Sequence, residues 1–241
     1  MIKFFRHIRQ HMIKEDRALK YLLYALGEVV LVVIGILIAV QLNGVKEQRA
    51  RNAQEHAILT EMLSNLRMDS LDMAGNIDRN MKVLNAANAV IRQLDERIPW
   101  NDSMAYHYGH IGSGSLVAPV LSSYENMKSV GFDLIRNDSL RSMIHKLYAQ
   151  QYPFVVRLEQ EHGTPMWYSV VKPQLLKKVI RIPQGGRRPL DLEALWDDNE
   201  FKEAIRTMKG AQELLIHFYD RLLQLDLQLM RMIEKELKAG A

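Results

Sequence analysis

The sequence predicts an all-α protein in which one N-terminal transmembrane helix leads into an extracytoplasmic antiparallel helical bundle with long helices. Three observations predict it. Residues 21–42, YLLYALGEVVLVVIGILIAVQL, form an apolar run broken by one charge, Glu28. Apolar residues then recur at three- and four-residue steps over two long stretches, the spacing of a helix with one buried face. No run alternates apolar and polar residues over a length useful for a strand.

As a helix, the 22 residues from Tyr21 to Leu42 extend roughly 33 Å, against a hydrocarbon core of about 30 Å. A cleaved signal peptide has a shorter apolar region, about 7–15 residues, followed by a small-x-small cleavage site. Ala39-Val40-Gln41 is a poor one. A core helix keeps a polar stripe, whereas Val29 to Val40 is apolar all round. The segment therefore reads as an uncleaved span. Six Lys and Arg residues precede it (Lys3, Arg6, Arg9, Lys14, Arg17, Lys20) and three follow within twenty residues (Lys46, Arg49, Arg51). That bias puts the N-terminus in the cytoplasm and residues 43–241 beyond the inner membrane, in the periplasm.

The formal net charge of +4 suggests nucleic acid at first sight, but its distribution argues otherwise. Residues 1–20 carry +4, Glu28 carries −1 and residues 43–241 carry +1. The six N-terminal cations are suited to anionic lipid headgroups. With Phe5, Ile8 and Met12 at helical spacing, residues 1–20 read as a basic amphipathic segment in the inner-leaflet interface. The absence of cysteine excludes disulfides and thiolate metal sites.

After the span, Asn43-Gly44 is a weak point before a second helical pattern from Val45 to about Glu96. Ile58, Met62, Leu66, Met73, Ile77, Met81, Leu84, Ala87, Ile91 and Leu94 form its seam, with an irregular step and a possible bend near Asp69. Ile98-Pro99 stops it, and residues 101–121 read as a loop. SSYENMKS is a short helix capped by Ser122 or Ser123, with Gly131 as a left-handed stop. Asn137-Asp138 opens a helix to about Glu161, kinked at Pro153 and ended by His162-Gly163. Thr164-Pro165 starts another to about Ile180, kinked at Pro173. Pro183, Gly185, Gly186 and Pro189 mark a loop, and Asp197 or Asp198 caps a last helix from Asn199 to Leu237.

Glu28 is the sharpest chemical feature. It lies three to four residues, roughly 5 Å, from the middle of the span, where a carboxylate costs about 2.5–3.5 kcal/mol or more. Gly35 and Ala39 form a small-xxx-small pair, and Gly27 lies two turns earlier on nearly the same stripe, beside Glu28. Self-association along that stripe would pair protonated carboxyls between chains. A carboxyl reached by headgroups, or one doing proton work, are the other readings.

His107-x-x-His110 has only Asp102 nearby as a third ligand and reads as a surface loop. Gly112 to Ser115 (GSGS) lacks the GK[ST] ending of a phosphate loop. Gly185-Gly186-Arg187-Arg188 reads as a solvated turn before an anion site. Tyr148, Tyr152, Trp167, Tyr168, Phe218 and Tyr219 are assigned to the core. No catalytic residue, cofactor or metal site is expected.

In the combination of MIKFFRHIRQ, KYLLYALGEVVLVVIGILIAVQLN and SSYENMKSVGFDLIRNDSLRSMIHKLY, the chain resembles a family of single-span proteins of Gram-negative bacteria known only as a domain of unknown function. The resemblance covers nearly the whole chain and implies the same topology and helical external domain. It implies no activity, cofactor or catalytic residue. Relatives carry a tryptophan near the outer interface where this chain has Asn43-Gly44-Val45. The function expected is a membrane-anchored structural or interaction protein of the envelope, partnered by the bilayer and by itself or another envelope protein, and not by nucleic acid. The alternatives are a one-pass sensor with a ligand-binding bundle, and a proton-responsive accessory subunit using Glu28.

Overall fold

The computed structural model describes residues 18–112, 114–183 and 185–239. The expected headgroup contacts Lys3, Arg6, Arg9, Lys14 and Arg17, and the side chain of Lys20, lie outside the described residues. The fold is all-α apart from one two-stranded hairpin. The chain divides into two compact units, Met1–Gln54 and Glu55–Ala241.

Helix α1, Ala18–Asp95, is continuous over 78 residues. The helix is unbroken both at Asn43-Gly44, expected as a weak point, and at the irregular step near Asp69. One glycine in a helix costs only about 1 kcal/mol, too little to break a helix this long. The irregular step from Leu66 to Met73 is filled by polar residues on the inward face: Asp69 and Ser70 are both buried. In the first unit the apolar window of α1 is 0% buried, and it is long and apolar enough to cross a membrane.

The second unit opens with a correction. Residues 104–110 form a helix, α2 (Met104–His110), where a loop was expected; Asn101 Oδ1 accepts from Ser103 N at 2.9 Å just before it. Only Ala105 and Tyr108 on α2 are buried, too few to show a helical period in the sequence. Helix α3, Ser122–Val130, begins without a serine cap; the Ser122 and Ser123 hydroxyls accept from Asn65 Nδ2 at 3.0 and 3.1 Å instead. Gly131 stops α3 with φ +114° and ψ 136°, a positive-φ conformation that favours glycine, as the expected stop requires, with ψ away from the left-handed helical value. A 3₁₀ turn, Phe132–Leu134, follows, and Asn137 Oδ1 caps the next helix at Ser139 N and Leu140 N.

That next helix does not end at His162-Gly163. Helices α4 (Asp138–His145), α5 (Tyr152–Leu158), α6 (Thr164–Met166) and α7 (Lys172–Lys178) run on through three π-helical turns, Lys146–Gln151, Glu159–Gly163 and Trp167–Val171. Each π turn directly precedes a proline-bearing turn, at Pro153, Pro165 and Pro173. A proline ring clashes with the carbonyl four residues back and offers no N–H. The wider π turn makes room for the ring, so the helix passes each proline without stopping.

After Lys178 the chain turns extended. Strand β1 (Val179–Arg181) pairs antiparallel with β2 (Arg187–Pro189) in the register Val179↔Pro189, Ile180↔Arg188 and Arg181↔Arg187, where helix and loop were expected. Three residues per strand are too short to register as alternation. The turn uses Gly185 and Gly186 at φ +91° and +86°, and a Cβ on Gly186 would meet Ala105 O of α2 at 2.4 Å. Helix α8 (Leu192–Trp196), also unexpected, is capped by Asp191 Oδ1 on Ala194 N. Helix α9 (Asn199–Ala239) is capped by Asp198, whose Oδ1 accepts from Phe201 N at 2.9 Å.

Two apolar clusters hold the second unit together. One joins Ile58–Met73 of α1 to Leu215–Ile233 of α9 around Tyr148 and Tyr152; the other joins Val83–Leu94 to Phe201–Met208 around Val171 and Leu175. Tyr148, Tyr152 and Tyr219 are buried as assigned, while Trp167 and Phe218 are only partly buried and Tyr168 is exposed. The last of these belongs to the π turn Trp167–Val171, of which Val171 is the buried member.

Candidate functional site

The inward faces of α1 and α9 are not wholly apolar. Along α1, Met62, Asp69, Asn76, Val83 and Val90 fall at seven-residue steps and are all buried; so do Gln212, Tyr219, Asp226 and Ile233 along α9. Seven residues are nearly two helical turns, so each set lies on one stripe. The polar members form a layer inside the body.

Most of that layer serves one segment. Residues 114–121 run without regular structure, a strap that crosses the buried region. A strap without a sheet partner leaves its N–H and C=O groups to be satisfied by side chains. Asp69 Oδ1 accepts from Val120 N at 3.0 Å, and Glu159 Oε1 accepts from Val117 N at 2.8 Å. Asn76 Nδ2 donates to Leu116 O at 3.2 Å, and Arg79 Nε to Ser115 Oγ at 2.8 Å. The Tyr219 hydroxyl lies 2.5 Å from Glu159 Oε1 and 3.1 Å from Ser115 O. Buried polar side chains from α1, the middle helical run and α9 thus stand in for the missing backbone partners.

At the centre, two carboxylates share one phenol. Tyr152 OH is 2.9 Å from Asp226 Oδ1 and 3.4 Å from Asp69 Oδ2. One hydroxyl carries one proton, so it serves the nearer oxygen. Asp226 is fully buried; burial pushes its carboxyl up to about 7, against the Tyr152 hydrogen bond and with help from the charge of Asp69. Burial likewise pushes Asp69 up to about 6, opposed by Val120 N–H and Tyr152. Glu159 is raised by burial too, opposed by its bonds from Tyr219 and Val117. Tyr148 packs edge-on to Tyr152 at 5.3 Å and stacks on Tyr124 at 4.9 Å, closing the layer with aromatic surface. Chemically the layer can hold protons at neutral pH and fix the strap.

Beside the strap lies a cleft of about 150 Å³, bounded by Gly114 and Ser115, by Gly163 and Trp167 of the π-turn region, and by Met208 and Gln212 of α9.

The residues singled out in the sequence lie elsewhere. Gly27, Glu28, Gly35 and Ala39 all fall on α1 in the first unit and are exposed, with nothing within 4 Å of a Cβ built on Gly27 or Gly35. His107 and His110 lie on α2; burial lowers His107, and His110 Nδ1 is 2.8 Å from Tyr106 O. Asp102 accepts from Trp100 Nε1 at 3.1 Å. Gly114 and Ser115 of the GSGS stretch belong to the strap, and Gly185 to Arg188 form the hairpin turn and the start of β2. Asp69, Asn76, Asn80, Glu159, Gln212 and Asp226 were missed as a group. Asp69 with Asn76, and Gln212 with Asp226, carried a signal as polar residues at seven-residue multiples inside an apolar stripe; Asn80 and Glu159 carried none. Comparison of the chain with protein families, characterised proteins and solved structures gives no match.

Proposed function

We propose that the chain is a membrane-anchored structural and interaction protein of the bacterial envelope. Residues 21–42 cross the inner membrane, the N-terminus is cytoplasmic, and the body from residue 43 onward is periplasmic, an antiparallel helical bundle that binds another envelope protein or a second copy. One observation carries the reading: the apolar window of α1 is 0% buried, although the second unit has two apolar clusters of its own. Water is a poor solvent for that surface. Leaving large aliphatic side chains exposed costs about 1.5–3 kcal/mol each, and Leu22, Leu23, Leu26, Leu31 and Leu37 are among those exposed. A bilayer removes the cost. Within it, Gly27, Gly35 and Ala39 offer a face for close helix approach beside Glu28.

The test is fractionation with topology reporters. The full chain should stay with membranes through alkaline carbonate washing, and a C-terminal alkaline phosphatase fusion should be active. Recovery in the soluble fraction without detergent, or activity only from a cytosolic reporter, would overturn the proposal. A second reading, a one-pass sensor, is favoured by one observation, the cleft beside Gln212.

A further inference from the structure

We propose that the cleft between the strap and α9 is a binding site for a small, uncharged molecule with an apolar body and a hydrogen-bond donor, received by the side-chain carbonyl of Gln212. The inference concerns the helical body alone and stands whether or not residues 21–42 cross a bilayer.

Size sets the first limit. A volume of about 150 Å³ is of the order that accepts a single aromatic ring. Trp167 and Met208 give that ring a flat face and a polarizable one.

Unmet hydrogen bonds set the second. Gln212 is 5% exposed, lines the cleft, and its Oε1 has no hydrogen-bond partner among the described residues. Behind it, Asn80 is fully buried; its Nδ2 donates to Asn76 O at 2.7 Å, which leaves Oδ1 as the free end, again without a partner. Both oxygens converge on Gly114, where a Cβ would lie 1.7 Å from Asn80 Oδ1 and 3.1 Å from Gln212 Oε1. Buried carbonyl oxygens left unmet are costly, and of the two only Gln212 Oε1 belongs to a residue lining the open volume, where an incoming donor relieves it. The ligand must therefore donate an N–H or O–H.

Charge sets the third. The residues lining the cleft include no Asp, Glu, Lys, Arg or His. An ion entering it would lose water and find no counter-charge, so the ligand is neutral. The site also lies where π turns flank it, Glu159–Gly163 on one side of α6 and Trp167–Val171 on the other, and such turns recur at functional sites.

Benzamide is the probe, with benzoate and benzylammonium as charged counterparts of the same size. The full chain, labelled with ¹⁵N-tryptophan in lipid nanodiscs, gives indole signals for Trp100, Trp167 and Trp196, with Trp167 assigned from Trp167→Phe. Benzamide should shift the Trp167 signal saturably in the millimolar range while the two ions leave it in place. Gln212→Leu should weaken benzamide roughly tenfold, the loss of one buried hydrogen bond. Ala211→Phe, which fills the cleft, should abolish the shift; unmoved Trp100 and Trp196 signals report that each variant is folded. No saturable shift in the wild-type chain overturns the proposal. So does benzoate titrating as well as benzamide, a comparison that needs no variant, or Gln212→Leu binding benzamide as tightly as wild type.

Discussion

Asp226 has no access to water, and among the described residues its hydrogen-bond donor is a phenol that Asp69 also approaches. Burial raises both carboxyls above the ordinary 3.8, to about 7 and about 6. The sign of the pH effect follows. From about pH 4 upward the unfolded chain has released these protons while the folded chain keeps them. Their contribution to stability is therefore full below 3.8, falls as pH rises, and is gone above about 7. Asp226→Asn keeps an acceptor for Tyr152 and removes the charge. In detergent-solubilised full chain, the melting temperature of Asp226→Asn minus that of wild type should be larger at pH 8 than at pH 5. The difference corresponds to a few kcal/mol at most. An equal difference at both pH values would mean that the pair holds no extra proton. This site is hard to read in the sequence because apolar residues trace the helical seams and its carboxyls interrupt them. Asp69 was seen as an irregularity in the seam and Asp226 fell between Leu222 and Leu229, yet both occupy core positions.

Among the elements, the long helices and the short α3 were legible, and α2 and α8 were not. α1 and α9 announce themselves through many periodic contacts, whereas α2 and α8 bury two residues and one. The prolines misled in a more instructive way. Pro165 reads as a helix start, but a π turn before it absorbs the ring, and the width of a turn leaves no trace in residue spacing. The hairpin offers a paired test. Gly185 and Gly186 both have positive φ, but only Gly186 also presses on α2. Gly185→Ala should cost about 1 kcal/mol, from backbone strain alone. Gly186→Ala should cost about 1–3 kcal/mol more, because Ala105 O cannot retreat without shifting α2. Chemical denaturation followed by tryptophan fluorescence would measure both, and equal costs would show that the contact with α2 is slack.

For the molecule as a whole, the division at Gln54 and Glu55 separates a stretch whose described residues join neither apolar cluster from a unit that holds both. Residues 55–241, expressed alone, should be soluble, strongly helical by circular dichroism and cooperative in melting. A fragment that aggregates or melts gradually would show that the upstream part of α1 is needed for folding. A long apolar run declares itself by composition, whereas a buried polar layer needs partners from distant positions, so the first was legible in the sequence and the second was not.

The strap carries that distance into the order of assembly. Its bonds join Val117 to Glu159, Val120 to Asp69 and Ser115 to Tyr219, separations of 42, 51 and 104 residues. Such contacts close large loops and reward nothing until the helices at both ends have met. The strap is therefore expected to fasten after the folding barrier has been crossed, so that damage to it should quicken unfolding and leave the refolding rate nearly the same in stopped-flow measurements.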